Sequence, residues 1–359
     1  MTAGEGIRCL YLRGGTSKGA YFLAADLPAD AAERDDLLLR VMGTPDPRQI
    51  DGLGGAHPLT SKVAVVQTSE SGDTDVDYLF LQVGVDEAFV TDKQNCGNLL
   101  AGIGPFAVER GLVVADDPTT TVRIRMVNTD SVAIATFATP GGVVDYDGDL
   151  AIDGVPGTAG AISLDFEGTA GSSTGALFPT GHLTDEVDGI TVTCVDNGMP
   201  SVLMRAADLG LSGAENPDEL EADAALGDRL AGIRMHAAEL MGMGDVSATT
   251  VPKLVLLSAP TAGGAISTRS FLPKRVHTSI GVLGALTVAA GVLPQGTVGH
   301  DLVELADGSA RFSIEHPTGH FDVDVAVEQT GDQYTVTRSA ALRTARKIFD
   351  GTVFARPRL

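Results

Sequence analysis

Cysteine is scarce. Three residues (Cys9, Cys96, Cys194), scattered and odd in number, exclude a disulfide framework, so each reads as a free thiol of a reducing compartment. Cations are short as well: 25 lysines and arginines face 47 acidic side chains, a formal net charge of −22. Such a surface repels nucleic acid and anionic membranes. It also opposes an anionic substrate at long range, so local cations and helix ends must collect one. No apolar run approaches the roughly 18 residues that span a bilayer, and "MTAGEGIRCLYLRGG" lacks the basic start and apolar stretch of a signal peptide. A cytoplasmic location is expected. HExxH is missing, "HPTGH" (316–320) interrupts any helix face with proline and glycine, and "DYDGDLAIDGVP" (145–156) departs from a calcium loop at Leu150 and Pro156. No dinucleotide fingerprint follows any strand. Neither metal nor cofactor is expected.

What is present is an ordinary globular composition, 43% hydrophobic and 20% charged, in a chain of 359 residues, longer than one core usually supports. Two domains follow. Short β-rich runs such as "IRCLYLR" (7–13), "SKVAVVQTS" (61–69) and "VDYLFLQVGV" (76–85) return in kind as "GITVTCV" (189–195), "KLVLLSA" (253–259) and "FDVDVAVEQ" (321–329). The segment 216–241 starts as a helix, with Asn216 as cap, Pro217 at the first position and Glu219 as the reaching carboxylate. Two other helical segments, 97–112 and 279–293, are apolar nearly all round and belong in cores. One buried helix among strands in each half suggests a duplicated unit, with a Gly/Ser/Thr-rich linker ending near residue 182.

Four stretches carry candidate chemistry. In "QNCGNLLAGIG" (94–104), Cys96 heads a helix, where unpaired N–H groups favour thiolate. Asn95 and Asn98 need partners there, and Gly97 allows close approach of a ligand to the backbone. In "LTSKVAVV", Lys62 sits on an apolar strand with Ala64 and Val66 on its face. It is either an edge lysine in solvent or, if taken out of water, a base. "LRGGTSKGAYF" (12–22) offers Arg13, Thr16, Ser17 and Lys18 on a loop able to cradle an anion, but Ala20 occupies the P-loop lysine position. Its "GTSKG", like "GSSTG" (171–175), matches the serine-hydrolase elbow without a helix following promptly. "TRSFLPKRVHTSIGVLGA" (268–285) brings Arg269, Lys274, Arg275, His277, Thr278 and Ser279 ahead of the second apolar helix, a carboxylate site or a basic loop with a cap.

These blocks, with "RQIDGLGGAHPLTSKVA", "DGVPGTA", "VTCVDNGMP" and "RTARKIFDGTVF", resemble the isomerase family that includes 2-methylaconitate isomerase, methylitaconate Δ-isomerase and 4-oxalomesaconate tautomerase. "RQIDGLGGAHPLTSKVA" and "TRSFLPKR" are most similar to the 4-oxalomesaconate tautomerase branch. The resemblance implies an α+β, diaminopimelate epimerase-like fold: two pseudo-symmetric domains, each a sheet wrapped around a central helix, with the active site between them. The domains would be 1–182, completed by 341–359, and 183–340. In the wider superfamily two cysteines face the substrate. Here the position matching the second, Thr278, holds no thiol. The resemblance instead implies Lys62 and Cys96 as the catalytic pair. The substrate-binding set would be Thr16, Ser17, Lys18, Ser61, Asn95, Gly97, Asn98, Arg269, His277, Thr278, Ser279 and Gly281. The expected partner is a small polycarboxylate, the expected self-association a homodimer. A hydrolase using Ser17 and a non-catalytic tricarboxylate-binding protein are the rival readings.

Overall fold

The computed structural model describes residues 6–92, 96–247, 249–272, 275–305, 312–331 and 333–358. The chain forms two units, Met1–Glu167 with Leu342–Leu359, and Gly168–Ala341. The passage at 167/168 precedes the position suggested by composition. The Gly/Ser/Thr-rich segment packs with the second unit because Asp196 accepts from the Ser173 and Thr174 amides and from Thr174 Oγ1.

In the first unit β1 (Ile7–Gly14) and β2 (Ser17–Leu23) form a hairpin around Gly15, whose φ of 50° suits glycine. Then come α1 (Ala31–Met42), β3 (Lys62–Thr68), β4 (Val76–Val83), the short β5 (Val90–Thr91), α2 (Gly97–Leu100), α3 (Ile103–Glu109), β6 (Thr119–Met126), β7 (Ser131–Ala138) and β8 (Ala161–Phe166). The second unit holds β9 (Asp185–Val187), β10 (Ile190–Val195), β11 (Ser201–Arg205), α4 (Pro217–Ala222), α5 (Ala224–Leu240), β12 (Lys253–Ser258), β13 (Ile266–Phe271), α6 (Val282–Val292), β14 (Phe312–His316) and β15 (Gly319–Thr330). The last strand, β16 (Gln333–Val353), serves both, pairing its first half with β15 and its second with β1.

The duplication is written in the pairing. β1-β2 are antiparallel, β2-β3 parallel, β3-β4 antiparallel, β4-β6 parallel and β6-β7 antiparallel. The series β10 to β15 repeats this alternation pair for pair. Each parallel step is a crossover carrying a helix: α1 and α5 at the first, α2-α3 and α6 at the second. α1 and α5 cover one face of their sheets. Leu37, Leu38, Val41 and Met42 pack on Tyr11, Phe22, Val63 and Leu81, and Leu226, Leu230 and Ile233 on Val202, Met204 and Leu254. The opposite faces receive the all-apolar helices, whose Leu99, Leu100 and Phe106, and Leu286 and Val288, are fully buried. This is the α+β arrangement of a sheet around a central helix, twice.

Two helices differ from expectation. The segment 97–112 breaks after Leu100: Gly102 N bonds Leu99 O, a three-residue step, and Pro105 has no N–H to offer Ala101. Gly102 also lies so close to Tyr21 that an added Cβ would stand 2.5 Å from its hydroxyl. The 216–241 helix divides at Asp223, whose side chain leaves the first segment and caps the second through Leu226 N at 2.9 Å. Among the described residues no helix is long and apolar enough to cross a membrane.

Candidate active site

Strand alternation decides which side chains meet. In the first unit Lys62 lies opposite Gly19 on β2 and Gln82 on β4, and Ala64 opposite Tyr21 and Phe80. Paired residues share a face. Lys62, Gln82, Phe80, Tyr78, Tyr21 and Gly19 therefore line the face that receives α2. Tyr21 Oη donates to Leu99 O at 2.7 Å and Tyr78 Oη to Cys96 O at 3.5 Å. Gly19 has no side chain because Leu99 occupies that space: an added Cβ would stand 3.0 Å from Leu99 Cδ2 and 2.4 Å from Lys62 O. The first turn of α2, headed by Cys96, is thus packed directly beside the lysine strand.

Lys62 is 7% exposed. Its Nζ donates to Gln82 Oε1 at 2.9 Å and lies 4.9 Å from the Phe80 ring centroid. No carboxylate pairs with it among the described residues. Gln82 is fixed by donating from Nε2 to Pro58 O at 3.1 Å and Ser61 O at 2.9 Å, which presents its oxygen to the amine. Cys96, 9% exposed, is the N-cap of α2. With only four residues, α2 supplies little macrodipole, and among the described residues no side chain caps its first turn. Burial, then the neighbouring Cys96, holds both Tyr21 and Tyr78 well above the usual phenol range, so both stay protonated at neutral pH.

Ser17, on the same face two residues before Gly19, is 2% exposed, and its Oγ has no hydrogen-bond partner among the described residues. A buried hydroxyl left unsatisfied costs about 1–3 kcal/mol, which a ligand would recover. Ser17 opens a strand, not a helix, so the hydrolase-elbow reading fails on local structure. At the hairpin tip Thr16 Oγ1 accepts from Asn98 Nδ2 at 3.1 Å, tying the hairpin to α2 beside Gly97. Two predicted residues point elsewhere. Lys18 faces the α1 side, its Nζ 5.9 Å from the Tyr11 ring centroid. Ser61 also points away from Lys62, accepting from Gln49 Nε2 at 2.8 Å to pin the preceding loop. Asn95 and Lys274 lie outside the described residues.

In the second unit Arg269 pairs with Leu256 on the face covered by α5, not on the α6 face. Its guanidinium donates to Glu215 O and Thr268 O at 2.7 and 2.9 Å, and burial holds it below the usual arginine range. It is a loop clamp, which corrects the carboxylate-binding role. His277, Thr278 and Ser279 do gather ahead of α6. Ser279 N donates to His277 Nδ1 at 2.9 Å, and Ser279 Oγ lies 3.2 Å from His316 Nε2. Thr318 Oγ1 donates to Thr278 O at 2.8 Å. Burial, then the nearby Lys253, pushes His277 below its usual value, so it is a neutral acceptor toward Ser279. The cap of α6 is Gly281, with no side-chain cap bond; Thr278 stands three residues ahead, so it is not the structural match of Cys96. Sequence reasoning missed Gln82, whose signal was a lone amide in phase with Tyr78 and Phe80. It also missed Lys253, first residue of β12 as Lys62 is of β3, and His316.

A model of the family described as PrpF protein matches residues 5–356. The chain belongs to that family. It is 56% identical over 96% of both chains to the (4E)-oxalomesaconate Delta-isomerase of Novosphingobium sp. (strain KA1). It is 54% identical, over 97% of this chain and 95% of the relative, to the 4-oxalomesaconate tautomerase of Pseudomonas putida. The crystal structure of methylitaconate-delta-isomerase superposes with a TM-score of 0.89 at 33% identity, covering 98% and 96% of the two chains. A hydroxyproline epimerase at 14% identity and TM-score 0.53 shares the fold alone, over 99% and 95% of the chains. The PrpF-family chain is an isomerase of epimerase-like fold.

Proposed function

We propose that the enzyme moves one proton within an unsaturated tricarboxylate of the 4-oxalomesaconate type, with Lys62 as base and Cys96 as the group that returns or relays the proton. Carbon flanked by a carboxylate and a conjugated carbonyl gives its proton to the Lys62 amine. The electron pair spreads over the conjugated system as a dienolate, and a proton is delivered to its far carbon. Nothing is gained or lost, so the step needs no co-reactant. The observation that carries this reading is the amine itself: buried, facing an amide and a ring rather than a carboxylate, beside the turn that Cys96 heads. The Ser17 hydroxyl, buried and without a partner among the described residues, would hold a substrate oxygen. Two relatives above half identity that are named for 4-oxalomesaconate favour that acid. A cytoplasmic site of action suits three buried free thiols.

The test is Lys62→Met. Incubated in deuterium oxide with 4-oxalomesaconate, 2-methylaconitate and methylitaconate and followed by proton NMR, the native enzyme should exchange and isomerise the first acid fastest. The variant should lose at least about 10³-fold, a loss of the size general-base removal produces, with its melting midpoint retained. Exchange persisting in the folded variant overturns the assignment.

A further inference from the structure

The loop from Thr44 to Ser61 leads directly into Lys62. From Pro45 to Thr60 every residue is half-buried or exposed except Gln49, which is 1% exposed. A buried amide needs partners, and this one has them at three points of the loop. Gln49 Oε1 accepts from Ala56 N at 3.0 Å, and Nε2 donates to Thr44 Oγ1 at 3.0 Å and to Ser61 Oγ at 2.8 Å. One side chain thus joins the start, the middle and the end. The backbone bends to allow it. Gln49 has a φ of 46° and Ala56 a φ of 60°, left-handed values that residues with a Cβ rarely adopt and that persist only where surrounding contacts hold them. Gly54 is bare because the amide lies against it: an added Cβ would stand 2.1 Å from Gln49 Cδ and Oε1.

The end of the loop faces the amine's neighbour. Ser61 is fully buried; its Oγ accepts from Gln49 and its carbonyl accepts from Gln82 Nε2 at 2.9 Å. Pro58 O, in the same turn, accepts from Gln82 Nε2 at 3.1 Å. Carbonyls can only accept, so these two select the NH2 end of the Gln82 amide and turn its oxygen to Lys62. The reverse orientation would aim an N–H donor at the amine and occupy the lone pair that a base uses. We propose, on the reading of Lys62 as the base, that Gln49 is a positioning residue for the proton transfer: by fixing Ser61 it fixes which end of the Gln82 amide meets Lys62. It acts through those two residues and not on the amine directly.

Gln49→Met keeps the side-chain length and removes its hydrogen bonds. With 4-oxalomesaconate the variant should lower kcat about three- to tenfold and leave KM within about twofold, because orientation of the amine is lost and substrate binding is not. In a Gln82→Met background the same substitution should change kcat by less than about twofold, since the amide it orients is gone. A staple that only stabilises the loop would cost the same factor in both backgrounds, or lower the urea midpoint with native kcat; either result overturns the proposal. If Gln49→Met does not fold, Ser61→Ala, which removes only the oxygen that Gln49 holds, carries the same pair of measurements with the same reading. Trace acetylation of the folded chain adds a readout independent of turnover. Lys62, buried and tethered, should label at least about threefold faster in Gln49→Met, relative to the exposed Lys347, as the loop opens. Unchanged labelling overturns the positioning role even if Lys62→Met confirms the base. Exchange persisting in Lys62→Met defeats the base and leaves the labelling result standing, so the two failures are told apart.

Discussion

The most exacting perturbation is Gln82→Glu, which exchanges one atom type next to the amine. In the native protein Lys62 Nζ meets a neutral oxygen at 2.9 Å, with both side chains buried. A carboxylate there would attract the protonated amine by about 6 kcal/mol at an effective dielectric of about 20. Burying the new charge costs several kcal/mol of that. A remainder of about 3 kcal/mol lowers the population of free amine by about two powers of ten. The expected result is a loss of about 100-fold in kcat/KM at neutral pH, read as deuterium incorporation into 4-oxalomesaconate. Fold loss is controlled separately. The variant also deprives Pro58 O and Ser61 O of their donor, which should lower stability by about 1–2 kcal/mol in a urea titration. Gln82→Met removes the same donor without adding a charge and should lose less than about tenfold in kcat/KM. A folded Gln82→Glu protein within about threefold of native activity would refute a mechanism that needs an uncharged Lys62.

Thiol chemistry and pH supply two further checks. Burial pushes Cys9 and Cys194 up to about 12, so at pH 8 only about one in 10⁴ of either is thiolate. Iodoacetamide on the native protein should mark Cys96 first, by peptide mass spectrometry, and reach the other two only on unfolding; early label on Cys9 or Cys194 contradicts the packing. Asp77 accepts the Arg125 fork at 2.9 and 3.1 Å with Ser69 Oγ at 2.8 Å, and the Arg125 hydrogen bonds hold its carboxyl below the usual range. A depressed value in the folded state means stability present above the unfolded value of about 3.9 and lost as pH falls through the folded one. Asp77→Asn should therefore unfold at lower urea than the native protein at pH 7, with the gap closing as pH drops below about 4. A gap independent of pH would show the carboxylate's charge to be irrelevant.

How much of this was legible in the sequence depends on whether a residue's face could be read. Lys62 stood out because "KVAVVQT" is apolar and its phase is unambiguous, and the pattern of strands and all-apolar helices gave the sheet-around-helix unit twice. The alternation that places Lys62 also turns the Ser17 and Lys18 side chains to opposite faces of β2, yet at the strand's end Thr16, Ser17 and Lys18 line one cleft, as the "TSK" loop suggests. Arg269 was out of reach by that route. Every residue of "ISTRSF" is buried, so neither phase of β13 reads as the inner one. Only the register with Leu256, fixed by long-range pairing, turns the guanidinium toward α5.

The same limit explains Gln82. Its position in phase with Tyr78 and Phe80 was visible, but that it faces Lys62 is a fact about register, and register is set by the turns and cores of a whole unit rather than by either strand. The two halves keep their pairing order while their sequences have drifted, because alternate parallel and antiparallel steps constrain only which faces are apolar. The first residue of β3 is a lysine on the inner face. So is that of β12: Lys253 pairs with Ser201, in phase with Leu203, which packs against Gly291 of α6. Among the described residues, only the lysine in the first unit has an amide arranged to receive it and a thiol heading the adjacent turn. What sets the first unit apart is therefore three neighbours, Gln82, Gly19 and Cys96, laid around a position that the duplicated fold provides in both.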